Sequence, residues 1–260
     1  SDGTIVAVGA PYNDGNGSDS GHVRVYEYSG SSWSQLGADI NGEAASDISG
    51  YSVSMSSDGT IVAIGSNLND GNGSSSGHVR VYQYSSGSWT QLGGDINGEA
   101  ANDYSGNSVS LSSDGTIVAI GATGNDGNGS NSGHVRVYEY SGSSWSQLGA
   151  DINGEAASDQ SGRSVSLSSD GTIVAIGATD NDGNGSDSGH VRVYEYSGSS
   201  WSQLGADING EAASDQSGRS VSLSSDGTIV AIGATDNDGN GSDSGHVRVY
   251  EYSGSSWSQL

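Results

Sequence analysis

Apolar residues along this chain arrive in short bursts separated by turn-forming residues. In the stretch 161–204 the bursts are SVSLS (Ser164–Ser168), TIVAIGA (Thr172–Ala178), HVRVYEY (His190–Tyr196) and SWSQL (Ser200–Leu204). Val, Ile, Tyr and Trp dominate them, which suits a pleated, partly buried backbone, so each predicts a β-strand. The third alternates, with Val191 and Val193 on one face and His190, Arg192 and Tyr194 on the other. The second is apolar without interruption through IVAI, the pattern of a strand covered on both faces. No window repeats apolar residues at helical spacing and glycine interrupts throughout, so helix is not expected. Ser169-Asp170-Gly171 predicts a tight hairpin between the first two strands, since Asp-Gly supplies the positive φ it needs. Ser197-Gly198-Ser199 turns the third strand into the fourth, a longer loop (Thr179–Gly189) joins the second to the third, and Gly205–Arg219 leads to the next unit.

That unit recurs. The aspartate of SDGTIVA stands at Asp2, Asp58, Asp114, Asp170 and Asp226, a step of 56 residues, and Trp33, Trp89, Trp145, Trp201 and Trp257 keep the same step. So do His22, His78, His134, His190 and His246, and residues 149–204 and 205–260 match at all 56 positions. Repeated four-stranded antiparallel units of this size predict an all-β fold, a β-propeller of five blades. The expected organisation is one repeat domain, 1–260, with blades at 1–36, 49–92, 105–148, 161–204 and 217–260. Connectors fall at 37–48, 93–104, 149–160 and 205–216. Blade 1 has only three strands, lacking what is predicted to be the innermost one. Its absence leaves about four or five backbone hydrogen bonds unmade, each worth roughly 1 kcal/mol net, and an open β edge. The expectation is that the parent chain continues or that an equivalent strand arrives from elsewhere, by self-association.

Composition narrows the function. The 260 residues carry 7 basic and 31 acidic side chains, a formal charge of −24, with no lysine, phenylalanine or cysteine, 44 glycines and one proline. Such charge opposes binding to nucleic acid and to anionic membrane surfaces. No apolar run approaches the roughly 18 residues of a spanning helix, and no basic-then-apolar leader opens the sequence. Without cysteine there is no disulfide frame and no thiolate chemistry.

The residues also resemble a known family. Val8-Gly9-Ala10-Pro11 after a strand, then an Asp/Asn/Gly loop, then G-x-V-x-V-Y, resemble the FG-GAP repeats of integrin-type propellers. GHVRVYEY and SGYSVSMSSDGTIVAIG are similar to the bacterial and algal variant of that repeat. The resemblance implies a propeller and is weak for function. Two departures stand out: the name-giving phenylalanine is replaced by Ser49-Gly50-Tyr51 and its equivalents, and the calcium loop between first and second strands is reduced to Ser-Asp-Gly. Calcium therefore does not carry over to that hairpin.

Candidate chemistry lies in the loops. DNDGNG places Asp180, Asp182 and Asn184, and again Asp236, Asp238 and Asn240, in the D-x-D-x-N-G spacing that opens an oxygen-ligand Ca2+ loop. The first position is Tyr12, Leu68 or Gly124 in the other copies, and the alternative is a loop using Asn, Asp and Gly for its turns. Asp39, Asn41 and Glu43, with Asp47 behind them, form a second cation candidate or a solvated inter-blade loop. The histidines read as structural donors to a neighbouring loop, and Arg24, Arg80, Arg136, Arg192 and Arg248 as partners of nearby acids. The tryptophans read as covering a blade's outer edge or packing between blades, with a glycan-stacking platform as the alternative. No G-x-S-x-G elbow is present, and equal copies lack the asymmetry of an active site, so no enzyme is expected. The favoured reading is a non-catalytic binding or adhesion module, extracellular or on the cell surface, taking a glycan or protein ligand. An engineered or freshly amplified scaffold without a ligand, and a propeller hydrolase or lyase, are the alternatives.

Overall fold

The computed structural model describes residues 3–260; Ser1 and Asp2, where the first predicted blade begins, lie outside the described residues. The described residues form strands and turns with no helix, in five antiparallel sheets, one per repeat. The fourth sheet shows the pattern: an inner strand Ser164–Leu167, a second Ile173–Ala178, a third His190–Ser197 and an outer Ser200–Gln203 hydrogen-bond in that order. These are the four segments predicted from apolar patterning. A further two-residue strand, Ile208–Asn209, also pairs with the third strand. It lies in what the sequence presented as connector, held by the burial of Ile208. Among the described residues the first sheet begins with Ile5–Ala10, paired on one side with His22–Tyr28, with no inner strand before it.

Asp170 shows how the hairpins close. Its Oδ1 accepts bonds from Ser168 Oγ at 2.7 Å, Thr172 N at 3.0 Å and Thr172 Oγ1 at 2.8 Å, while Gly171 takes φ +73°. Partial burial pushes the carboxyl up, but the three donors outweigh it and hold it below the usual range. Asp170→Ala removes all three acceptor contacts and is expected to cost about 2 kcal/mol in urea unfolding, with Asp170→Asn losing less because it keeps Oδ1.

Successive sheets pack face to face. Alternation gives each sheet a trailing face, such as Ile5, Ala7, Val23 and Val25, and a leading face, such as Val53, Met55, Val62, Ile64, Tyr82 and Trp89; these two meet in one apolar cluster between repeats 1 and 2. Equivalent clusters fill the next three seams. Polar stitches recur with them. The indole N–H groups of Trp89, Trp145, Trp201 and Trp257 donate to the carbonyls of Leu36, Leu92, Leu148 and Leu204 in the preceding repeat, at 2.7–2.8 Å. Ser52, Ser108 and Ser164 donate their hydroxyls to Gly106, Gly162 and Gly218 in the following one. The hairpins are chained as well: the N–H groups of Ser57, Ser113 and Ser169 donate to the carbonyls of Ser113, Ser169 and Ser225, each at 2.8 Å. First strands of adjacent sheets are neighbours, and a space of about 390 Å³ lies against Met55, Leu111, Leu167, Leu223 and the hairpin serines, so the first strand is the innermost. That space has no titratable lining and offers no chemistry of its own.

Candidate functional site

The chemistry collects at the seams. In the first four repeats the third strand opens with a histidine whose cross-strand partner is the asparagine of the two-residue strand, as in His78 with Asn97. That pairing brings Asp95 beside His78, while Glu43 reaches the same point from the connector that leaves repeat 1. The result is a Glu43–His78–Asp95 group, repeated as Glu99–His134–Asp151 and Glu155–His190–Asp207, with ligand atoms within 4.8 Å of one another. In these groups the Nδ1 to glutamate Oε2 distance runs from 3.7 to 3.9 Å. The arginine two residues on holds the other glutamate oxygen, as Arg80 Nη1 to Glu43 Oε1 at 3.4 Å, and donates Nη2 to Asn41 O at 2.9 Å. Arg80 also lies over the Tyr82 ring, 5.5 Å from its centre. The arginines are thus paired with acids, as expected.

The histidines are not the simple loop donors expected. His78, His134 and His190 are each 1% exposed. Neither ring nitrogen of His190 has a hydrogen-bond partner, nor do Nδ1 of His134 and Nε2 of His78. A neutral imidazole spanning 3.7 Å to a carboxylate is too far for a hydrogen bond, and burial makes that orphaning costly. Burial, followed by the adjacent arginine, pushes all three down to about 4, so each is neutral at pH 7 and carries a free lone pair. Burial pushes the Glu155 carboxyl up. The groups are composed differently at the two ends: His246 meets Glu211 at 3.6 Å and forms no such triplet among the described residues. Arg24 turns to Asp39 with two bonds of 2.9 Å, which hold the Asp39 carboxyl down at about 2.

A groove lies beside the aspartate of two of the triplets. Asp95 lines one of about 280 Å³ with Asn97, Tyr138, Ser144 and Trp145. Asp151 lines one of about 290 Å³ with Asn153, Tyr194, Ser200 and Trp201. Trp89, Trp145, Trp201 and Trp257 pack between repeats, one of the two structural readings, and Trp145 and Trp201 also wall these grooves.

The predicted calcium-loop residues make hydrogen bonds within their loop and to neighbouring connectors. Asp180 accepts from the Gln160 amide, and Asp182 Oδ1 from Asp187 N at 2.9 Å. Asn184 donates its amide to Gly210 O and Glu211 O, both at 2.9 Å. In the last copy Asp238 Oδ1 accepts from Asp243 N at 2.8 Å, Asp236 bonds through its backbone N–H to Asp215 O, and the Asn240 N–H donates to Ser244 Oγ. The second candidate set disperses: Asp39 goes to Arg24, Glu43 to the next repeat, and Asp47 to Ala44 N and Asn69. No spacing rule exposes the triplets, because their members stand 35 and 17 residues apart and come from two repeats.

Among solved structures, the chain is similar to the periplasmic gluconolactonase PpgL of Pseudomonas aeruginosa, at 17% identity and TM-score 0.63 over 98% of this chain and 67% of that one. It is also similar to Kuenenia stuttgartiensis hydrazine synthase, at 13% identity and TM-score 0.55 over 92% of this chain and 59% of that one. No curated protein sequence matches it. These likenesses overturn the expected non-catalytic binding or adhesion module, and the ligand-free scaffold with it: both similar folds belong to enzymes, so the architecture gives no ground for setting catalysis aside. Residues 97–138, 153–194 and 209–250 match the FG-GAP repeat, so these three repeats are FG-GAP-like.

Proposed function

We propose that this chain is a metal-dependent hydrolase whose inter-blade triplets each take a divalent ion beside a groove suited to a sugar lactone or polyol ester. The observation that carries the reading is the triplet itself: a buried neutral imidazole with at least one unpartnered nitrogen, beside two carboxylates. Donor atoms around a tetrahedral ion stand about 3.4 Å apart, so the 3.7–3.9 Å between imidazole and glutamate needs only a small closure. One nitrogen and two carboxylates suit Zn2+ or Mn2+ better than Ca2+, which prefers six or more oxygens. Bound there, such an ion supplies a Lewis acid and lowers the pKa of a bound water. Arg80 and its equivalents orient the glutamate, and Tyr138 and Trp145 offer apolar faces for a sugar ring while Asn97 and Ser144 offer hydrogen bonds. Gluconolactonase chemistry on a similar fold supplies the substrate class to try first.

The test is calorimetric titration with Zn2+, Mn2+ and Ca2+, alongside proton release from glucono-1,5-lactone. Zn2+ or Mn2+ is expected to bind and to raise hydrolysis above the buffer rate, and the triple variant His78→Gln, His134→Gln, His190→Gln to lose both. Absence of binding removes the metal reading, and binding without turnover removes the hydrolase.

A further inference from the structure

Repeats 3 and 4, residues 93–148 and 149–204, differ at six of their 56 positions, among them 102/158, 104/160, 124/180 and 131/187. These four are scattered in sequence, and the fold gathers them. The loop after the second strand of repeat 3 meets the connectors on either side of it around a groove of about 300 Å³. Tyr104, Thr123, Gly124, Asn131, Ser158 and Gln160 line it. Five of these six stand at positions where the two repeats differ, and in place of Thr123 repeat 2 carries Asn67. Differences that only tracked exposure would spread over the whole surface; these collect on the wall of one groove. The backbone beneath them does not change. Tyr104 and Gln160 take φ +55° and +52°, and Asn131 and its counterpart Asp187 take +51° and +52°. Ser158 N donates to Ser130 O at 2.8 Å and Gln160 N to Asn131 O at 3.1 Å, which fixes the wall. Varied loop residues on an unvaried frame are where repeat proteins carry recognition.

The lining is polar and uncharged, in a protein of charge −24. Among the described residues the hydroxyls of Tyr104, Thr123 and Ser158 have no hydrogen-bond partner. Gln160 donates its amide to Asp180, which leaves Oε1 to accept, and the Asn131 amide adds both a donor and an acceptor. Tyr104 supplies the one aromatic ring. A Cβ at Gly124 would stand 2.7 Å from Tyr104 Cδ2, so a side chain there would push the ring aside. Repeat 4 carries Asp180 and Asp187 in place of Gly124 and Asn131, which makes the same place acidic.

We propose that this groove binds one residue of a neutral saccharide, with its apolar face on the Tyr104 ring and its hydroxyls on the amides and hydroxyls of the wall. Donors and acceptors side by side match vicinal hydroxyls, the ring matches the C–H face of a pyranose, and a lining without charge matches an uncharged ligand. The groove shares no residue with the Glu–His–Asp triplets, so it stands or falls separately from the hydrolase.

Calorimetry and saturation-transfer NMR on the 260-residue protein test it, with the methyl glycosides of glucose, galactose, mannose and N-acetylglucosamine as probes. Chelator is present throughout, so the result does not depend on the triplets. At least one glycoside is expected to bind with a dissociation constant of about 1–10 mM, and gluconate, of similar size and charged, to bind at least tenfold more weakly. Tyr104→Gln installs the residue that repeat 4 carries at the same backbone conformation, so circular dichroism and melting stay unchanged while affinity falls about tenfold or more. Asn131→Asp, also taken from repeat 4, is expected to weaken the same glycoside. No binding by any of the four up to about 20 mM overturns the proposal. So does binding that Tyr104→Gln leaves undiminished, or gluconate binding as tightly as the neutral sugars.

Discussion

Acidifying the metal-free protein from pH 7 to pH 4 is expected to remove most of its stability, and to do so above the range where ordinary carboxylates titrate. The cause is the set of buried imidazoles. In the folded chain His78, His134 and His190 are pushed down to about 4 from an ordinary 6.5. Above pH 6.5 they are neutral whether folded or unfolded, and the full stability is present. Between 6.5 and 4 the unfolded chain takes up protons that the folded chain refuses, so stability falls as pH falls. Below 4 both states bind the proton and the loss is complete. Each histidine contributes about 3 kcal/mol to that loss, and three together about 10 kcal/mol, comparable to the whole stability of a typical domain. Glu155, whose carboxyl burial raises, acts in the opposite direction, but one carboxylate does not reverse three imidazoles. Urea unfolding at pH 7, 6, 5 and 4 measures the slope, and replacing one histidine by glutamine should reduce it by about a third. A flat profile from pH 7 to 5 would show that these rings reach water or a donor.

Gly177→Ala is expected to cost about 3 kcal/mol or more, while the same change at Gly233 costs almost nothing. The two glycines occupy the same place in identical sequence, next to the end of a second strand. At Gly177 an added Cβ collides with the Gly218 carbonyl of the following repeat. Backbone cannot step aside without separating two sheets that the Ser164 hydroxyl ties together through that same carbonyl. At Gly233 the new methyl meets chiefly the Ser220 hydroxyl, which can rotate, because no repeat covers that face within the chain. There Ala can even gain a few tenths of a kcal/mol from its stiffer unfolded state. Paired melts of the two variants test whether seam closure, rather than strand propensity, requires the glycine; equal losses would rule that out.

Much of the fold was legible because its signals are local. Alternation marks His190–Tyr196, an unbroken apolar run marks the doubly covered Ile173–Ala178, and Asp170-Gly171 marks the hairpin between first and second strands. The pair Ile208–Asn209 was not legible as a strand, because two residues in a Gly- and Asp-rich connector show no period; only the burial of Ile208 against its neighbours fixes it. The triplets were less legible still. Glu155 and His190 belong to different repeats, and nothing short of the packed seam places them together. Asp182 and Asn184 carried a ligand-like spacing, yet the loop uses the same groups as turn acceptor and as donor to carbonyls. Short polar side chains serve both ends, and spacing alone does not separate them.

The sameness of residues 149–204 and 205–260, and the near-sameness of the rest, has a consequence for how the chain reaches this state. Since every seam presents the same partners, repeat 2 can dock on repeat 4 as readily as on repeat 3, leaving one unit looped out. Such skipped arrangements bury native-like surface, so little drives their correction until the omitted unit finds no place. Refolding from denaturant should therefore split into a fast population and a slow one that must first come apart, whereas emergence from the ribosome, one repeat at a time, offers each new unit a single waiting face.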